Sequence, residues 1–388
     1  MFTIDSIELF LCEFKSEGLN YSTWSTNTRE FLVYKINSGN FSGWGESTIN
    51  YNCYGVAKRI GKRIVGKDLS KKEELIDPKI LKDNIIFQYY AGFNRRYRQI
   101  REGFSQALWD IHGKILDKPF SEMIGKHQFV NKNISQEGMP VIHVFEPEDM
   151  AKLANLWLKE GFTTFKLKLR GNAKEDIKAM KMIKSLSSEV NILIGDANYG
   201  YKSIKELENA ANGFIQNDLG FLQNPIRKPF WQYKKISEKL GIKFTSDNTS
   251  YWPNIIRVIK FQEAELINLH PNIMGGVDYL FNVFRYAKKN KTKTIVGSSG
   301  FCGIQDKCYQ KMSFCLDNEM PTENIGLQNY FCKKFNDYYK YSSNTTSILK
   351  NDLQVKEGRI YERDESGFGI EVDQSKLDLI CKEHLIFN

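Results

Sequence analysis

Two lysines and a series of later polar residues recur at a spacing that could build one catalytic mouth. In Phe165-Lys166-Leu167-Lys168-Leu169, apolar and basic residues alternate, and side chains on a strand alternate with period two. If Phe165, Leu167 and Leu169 pack beneath helices, Lys166 and Lys168 point the opposite way. In a barrel that way is inward, where an ammonium needs a negative partner. Polar residues then follow at what read as strand ends: Asp196 lies 28 positions after Lys168, then Gln223 after 27, Asp247 after 24, His270 after 23 and Ser298 after 28. An amine and an imidazole can move protons near neutral pH, and carboxylate and carboxamide oxygens suit a hard cation.

The elements between these residues alternate from Val141 onward. Met150, Leu153, Ala154, Trp157 and Leu158 form a helical stripe stopped by Gly161, and further helices are predicted over 174–187, 203–216 and 231–240. Short apolar strands over 191–195, 221–222, 242–245, 264–269 and 293–296 deliver Asp196, Gln223, Asp247, His270 and Gly297-Ser298. One polar residue per strand–helix unit of roughly 30 residues matches an eight-fold barrel with its chemistry at the carboxyl ends of the strands. An open dinucleotide-binding sheet fits less well, because no glycine-rich phosphate loop follows the first strand.

The first third reads differently. Residues 2–11 and 29–37 are strand-like, separated by a polar loop over 16–28 that holds Tyr21 and Trp24. A second loop over 48–55 holds Tyr51 and Tyr54, and a helix over 101–116 carries Phe104, Ala107, Leu108, Ile111 and Ile115 on one stripe. The polar stretch 130–140, ending in proline, reads as a domain boundary.

Composition narrows the class. The 388 residues are 41% hydrophobic and 13% aromatic, enough for a large globular core. A mean hydropathy of −0.45 and the lack of a long apolar run argue against a membrane span. The amino terminus shows no export leader, and seven cysteines without zinc-type spacing read as reduced thiols, so a cytoplasmic location is expected. The net charge of +9 is mostly scattered lysine without a nucleic-acid recognition motif, so no nucleic-acid partner is expected and an anionic small molecule is.

Several short motifs fall in a recognisable order: Gly43-Trp44-Gly45-Glu46-Ser47, Ala107-Leu108-Trp109-Asp110 continuing through Gly113-Lys114 to Pro119, Lys166-Leu167-Lys168, Asp196-Ala197-Asn198, Gly275-Gly276 and Gly367-Phe368-Gly369. Together they resemble the enolase superfamily, in particular the branch of muconate lactonizing enzyme, mandelate racemase and the dipeptide epimerases. The resemblance implies an α/β fold with a (β/α)7β TIM-like barrel over 140–354 and an α+β capping domain over 1–130, completed by 355–388. The loops with Tyr21, Trp24, Tyr51 and Tyr54 would then close over the barrel mouth and contact the substrate.

The same resemblance implies magnesium-assisted abstraction of a proton alpha to a carboxylate, through an enediolate. Lys168 matches the base, Lys166 faces the substrate carboxylate, and His270 lies across the barrel to serve the opposite face. Asp196, Gln223 and Asp247 match the magnesium ligands, with a formal charge of −2 because glutamine stands where glutamate is usual. Asn198, Ser298, Ser299 and Phe301 fall at substrate-binding positions, Phe301 where many relatives hold glutamate. Two bases on opposite faces imply a racemase or epimerase, a homo-oligomer acting on a small carboxylate. A sugar-acid dehydratase shares the intermediate, and a barrel without turnover that only binds a ligand is the reading from another class. Around Glu319 and Glu323 there is no Asp-x-Asp pair, so a dipeptide with a free amino group is not expected.

Overall fold

The computed structural model describes residues 2–20, 25–48, 51–76, 95–124, 135–227, 230–247, 252–297, 302–316, 320–323, 327, 334, 347–351 and 353–388. A four-stranded antiparallel sheet begins the chain and receives its end: β1 (Ser6–Asn20), β2 (Ser25–Ser38) and β3 (Phe41–Thr48) lie in sequence order, and β15 (Cys381–Phe387) joins the free edge of β1. Period-two alternation divides its side chains between two cores. Ile7, Leu9 and Leu11, with Leu32, Tyr34 and Ile36, pack on Ala57 and Ile60 of the helix Tyr51–Ile64 and on Ile100 and Phe104 of the helix Arg95–Leu116. Phe10, Cys12, Phe31 and Val33 face the other way, into a core shared with residues between 255 and 377.

Strands β5 (Val141–Ile142), β6 (Thr164–Lys168), β7 (Asn191–Asp196), β8 (Phe221–Gln223), β9 (Phe244–Ser246), β10 (Leu266–Leu269) and β11 (Lys293–Val296) form one curled parallel sheet in sequence order. Every crossover carries a helix, as parallel pairing requires. Phe165, Leu167, Ile192 and Phe244 pack under those helices, whereas Ile194, Phe221, Leu266 and Ile295 form a separate small cluster with Met139. A third sheet joins β12 (Thr322–Glu323), β4 (Ser135–Met139), β14 (Arg359–Tyr361) and β13 (Gln354–Lys356). Within it β12 pairs in parallel with β4, the strand just before β5.

The structure differs from expectation in two places that matter for the site. Residues 16–28 are not mainly loop, since β1 runs to Asn20 and β2 starts at Ser25. The two strands keep their backbone pairing there, Lys15 with Thr28, Leu19 with Thr26 and Asn20 with Ser25. The stretch 48–55 is also not a free loop, because the helix begins at Tyr51 and places Tyr54 in the core.

The amino-terminal signatures serve as pins between layers. Asp110 is buried and accepts hydrogen bonds from the backbone N–H groups of Trp44 and Phe368, each at 3.0 Å, and from Lys114 Nζ at 2.7 Å. Gly45 lies so close to the Gly103 carbonyl that any Cβ would overlap it. Glu46 is buried and accepts from the backbone N–H of Cys302 at 2.8 Å and of Gln305 at 3.0 Å, tying β3 to the start of the helix Ile304–Phe314. Burial, opposed by those hydrogen bonds, pushes its carboxyl up to about 7.

A pH dependence of stability follows. The folded chain keeps a proton on Glu46 that the unfolded chain releases near the ordinary value of 4.5, so this group's contribution to stability falls as pH rises from there to about 7. Glu46→Gln removes that slope. Its urea midpoint, compared with the parent chain, moves in the variant's favour between about pH 5 and about pH 8.

Candidate active site

The alternation that singled out the two lysines holds in three dimensions. All five residues of β6 are buried, with Phe165 and Leu167 under the helices and Lys166 only 1% exposed. Sheet register then brings together residues far apart in sequence. Lys168 pairs with Asp196 across β6 and β7, and Asp196 pairs with Gln223 across β7 and β8.

Lys168 Nζ stands 2.6 Å from Asp196 Oδ2, and Lys166 Nζ lies 3.4 Å from the same oxygen. Gln223 Nε2 donates to that oxygen at 3.2 Å, and the Asn198 backbone N–H donates to Asp196 Oδ1 at 3.0 Å. Burial alone would raise the Asp196 carboxyl, but the ammonium groups of Lys168 and Lys166 outweigh it and hold the group below the usual carboxylate range.

Two residues that the sequence had not assigned complete the network. Glu323, on β12, stands 2.9 Å from Lys166 Nζ and also accepts from Asn268 Nδ2. Burial opposes ionisation of Glu323, yet Lys166, His270 and Lys168 pull its carboxyl below the usual range. Asn268 had a legible signal, since it lies two positions before His270 and so shares its side of the strand. In the sequence Glu323 stands out only as lying where an Asp-x-Asp pair is missing. It reaches the site through the parallel pairing of β12 with β4, which no sequence signal shows. A third such residue, Asn224, donates to Asp247 Oδ1 and continues the polar rim.

His270 follows β10 directly and is buried. Burial pushes the imidazole below its ordinary value, against the pull of Glu323 and Asp247, so it is neutral at pH 7. Its Nε2 has no hydrogen-bond partner among the described residues, and Gly297 packs against that edge so closely that a Cβ there would meet the ring.

Not every expected residue joins this group. Tyr54 packs in the core between the antiparallel sheet and its own helix, with Lys58 Nζ 4.1 Å above the ring, so it is no part of a loop over the mouth. Tyr51 opens that helix. Asn198 is half-buried in a left-handed turn (φ 44°) directly after Asp196, a conformation asparagine tolerates. Tyr21, Trp24, Ser298, Ser299 and Phe301 lie outside the described residues.

The family model described as "Enolase C-terminal domain-like" matches residues 149–376. The chain belongs to the enolase superfamily. Its neighbours place it in the mandelate racemase and muconate lactonizing enzyme branch, as a divergent member. It is 26% identical to an L-Ala-D/L-Glu epimerase of Clostridium acetobutylicum over 246 residues, which is 61% of this chain and 63% of the relative. The chain therefore spans less than two thirds of that epimerase's length. Its fold resembles the crystal structure of N-succinyl Arg/Lys racemase from Bacillus cereus, with a TM-score of 0.83 at 17% identity over 100% of both chains. It also resembles a dipeptide epimerase from Cytophaga hutchinsonii complexed with Mg and the dipeptide D-Ala-L-Val, with a TM-score of 0.80 at 17% identity and 100% coverage of both chains. Among the described residues of this superfamily member, no helix is long and apolar enough to cross a membrane.

Proposed function

We propose that this enolase-superfamily member is an isomerase that removes and returns the proton alpha to a carboxylate, inverting that centre as a racemase or epimerase. In this reading, β5 to β11 with β12 form the (β/α)7β barrel over 140–354. Residues 1–130 with 355–388 form its cap. The observation that carries the reading is the buried group in which Lys166, Lys168, Asp196, Glu323 and Asn268 meet, with a neutral His270 beside it. Lys168, an ammonium paired with Asp196 in the resting site, serves as the base on one face after giving up that proton. Lys166, held at the same Asp196 oxygen, puts a second cation beside it. Lys166 steers the substrate carboxylate, and His270 Nε2, with no partner of its own, faces the opposite side. As neutral imidazole it accepts the alpha proton of the isomer facing it while the Lys168 ammonium supplies one. In the reverse direction the imidazolium so formed gives its proton back.

Charge balance supports a divalent cation. Asp196, Asp247 and Glu323 against Lys166 and Lys168 leave a formal −1, which repels a carboxylate substrate. A 2+ ion would reverse that sign. Among the described residues no three His, Cys, Asp or Glu side chains cluster as a metal site. The middle position is the reason: Gln223 supplies an amide oxygen, and its buried Oε1 has no hydrogen-bond partner. Such an orphan acceptor costs about 1–3 kcal/mol unless something binds it, so the set Asp196, Gln223 and Asp247 fits a magnesium ion held more weakly than by three carboxylates. Bound there, magnesium supplies the fixed positive charge that the substrate carboxylate needs once its alpha proton has left. Gln223→Glu restores the third charge. Its magnesium affinity by calorimetric titration is expected to rise at least about tenfold, since ligand charge count sets affinity at such sites. An unchanged affinity would remove Gln223 from the ligand set.

Glu323 is occupied by Lys166 and Asn268, so the described site offers no spare carboxylate for a substrate ammonium. This favours a substrate whose amino group is acylated over one with a free amine. The experiment is a panel of N-acyl amino acids, dipeptides and sugar acids, incubated with the protein and saturating magnesium in deuterated water. Deuterium uptake at the alpha carbon with inversion is expected, and loss of water in its place would identify a dehydratase. Absence of exchange across the panel would sink the enzymatic reading.

A further inference from the structure

Cys12 on β1 and Cys381 at the start of β15 lie directly opposite one another in the antiparallel register, just past a bulge between Leu11 and Cys12. Directly opposed residues hold their Cβ atoms roughly 4.5–5.5 Å apart, at the edge of the roughly 3.5–4.5 Å that a disulfide spans. Each thiol also donates to a carbonyl two residues away on its own strand, Cys12 to Phe10 at 3.5 Å and Cys381 to Glu383 at 3.4 Å. Both side chains belong to the same apolar cluster, so they share a face of the sheet. Their accessibility differs: among the described cysteines, Cys12, Cys302, Cys308 and Cys315 are buried, whereas Cys381 is partly exposed.

We infer that Cys12 and Cys381 are a redox-modifiable pair that a low-molecular-weight disulfide closes into a reversible cross-strand bond. Cys381 is the point of entry. Its thiolate attacks one sulfur of the small disulfide, forming a mixed disulfide and releasing one small thiol. Cys12, losing its proton, then attacks the Cys381 sulfur and expels the second small thiol. Two protein thiols are oxidised by two electrons, one small disulfide is reduced to two thiols, and the two protons leave with them. Burial pushes both thiols up, so closure is slow at neutral pH and quickens as pH rises. The bond joins positions 369 apart in sequence (381 − 12) and fixes the edge strand β15 to β1.

The test uses the full reduced chain and oxidised glutathione, under mildly alkaline conditions, and needs no substrate, so its outcome is independent of the proposed reaction. A loss of two hydrogens in intact mass is expected, with titratable thiols falling from seven to five and a Cys12–Cys381 linked peptide in the non-reducing digest. Because the closed loop is long, Tm should rise by about 5 °C, reversed by dithiothreitol. Cys381→Ser, at a partly exposed position, should fold normally and lose both the cross-link and the Tm rise. A glutathione adduct that persists on Cys381 without closing, or a Cys12 bond to the neighbouring Cys302, overturns the inference.

Discussion

Lys168→Ala should lower turnover by about 10³-fold, within the range expected for loss of a positioned general base. The loss should fall on kcat more than on KM, because Lys166 and the rest of the site still receive the carboxylate. The partner variant separates the two faces of the intermediate. His270→Asn should leave solvent-deuterium exchange intact for the stereoisomer whose proton faces Lys168, while inversion is lost. Nuclear magnetic resonance of each isomer in deuterated water distinguishes the outcomes, and equal exchange and inversion in both variants would refute the two-base arrangement. The parent enzyme's pH profile carries the same information. Burial holds the His270 imidazole below its ordinary value, so proton abstraction by its neutral form, from the isomer facing it, should persist into mild acid and fall only below that lowered value.

The second large effect is on stability. Glu323→Ala leaves Lys166, 1% exposed, with a carboxylate at 3.4 Å in place of one at 2.9 Å, and leaves the Asn268 amide without its acceptor. Removing one partner of a buried ion pair costs about 3–5 kcal/mol, because the remaining charge stays desolvated. Denaturant midpoints measure this, and a change below about 1 kcal/mol would mean that the pair is solvated in solution. The pH dependence has the opposite sign to that of Glu46. The Glu323 carboxyl is held below its ordinary 4.5, so its contribution is present above that value and is lost as pH falls through the lowered one. Glu323→Gln should therefore narrow the difference between parent and variant in acid.

Much of the fold was legible because its signals are local. Period-two alternation in Phe165–Leu169 assigned each lysine to the inner side of a strand, and that assignment needs only the pleat of one element. Helix stripes such as Met150–Trp157 identified the layer over the parallel sheet for the same reason. Where polarity misled, the competing principle is visible. The 16–28 segment reads as loop from its polarity, yet the backbones of β1 and β2 pair within it through Leu19–Asn20 and Ser25–Thr26. Tyr51 and Tyr54, read as loop aromatics beside Asn52, begin a helix whose inner face packs on β1 and β2. The motifs around Gly45, Glu46 and Asp110 were recognisable as a set. Only the packed layers explain them, as carboxylates and a close glycine approach that pin the antiparallel sheet to the rest.

The sequence by itself determined which strands carry polar ends, in what order, and that two lysines share one side of β6, because backbone geometry enforces side-chain alternation within a single strand. Tertiary structure alone decided the partners. Lys166 meets Glu323 as well as Asp196, Asn268 joins them, and Tyr54 is withdrawn into a separate core. Those outcomes depend on register between strands up to 157 residues apart, and on the cost of burying an ammonium without a counter-charge. Neither is encoded in any short stretch of chain.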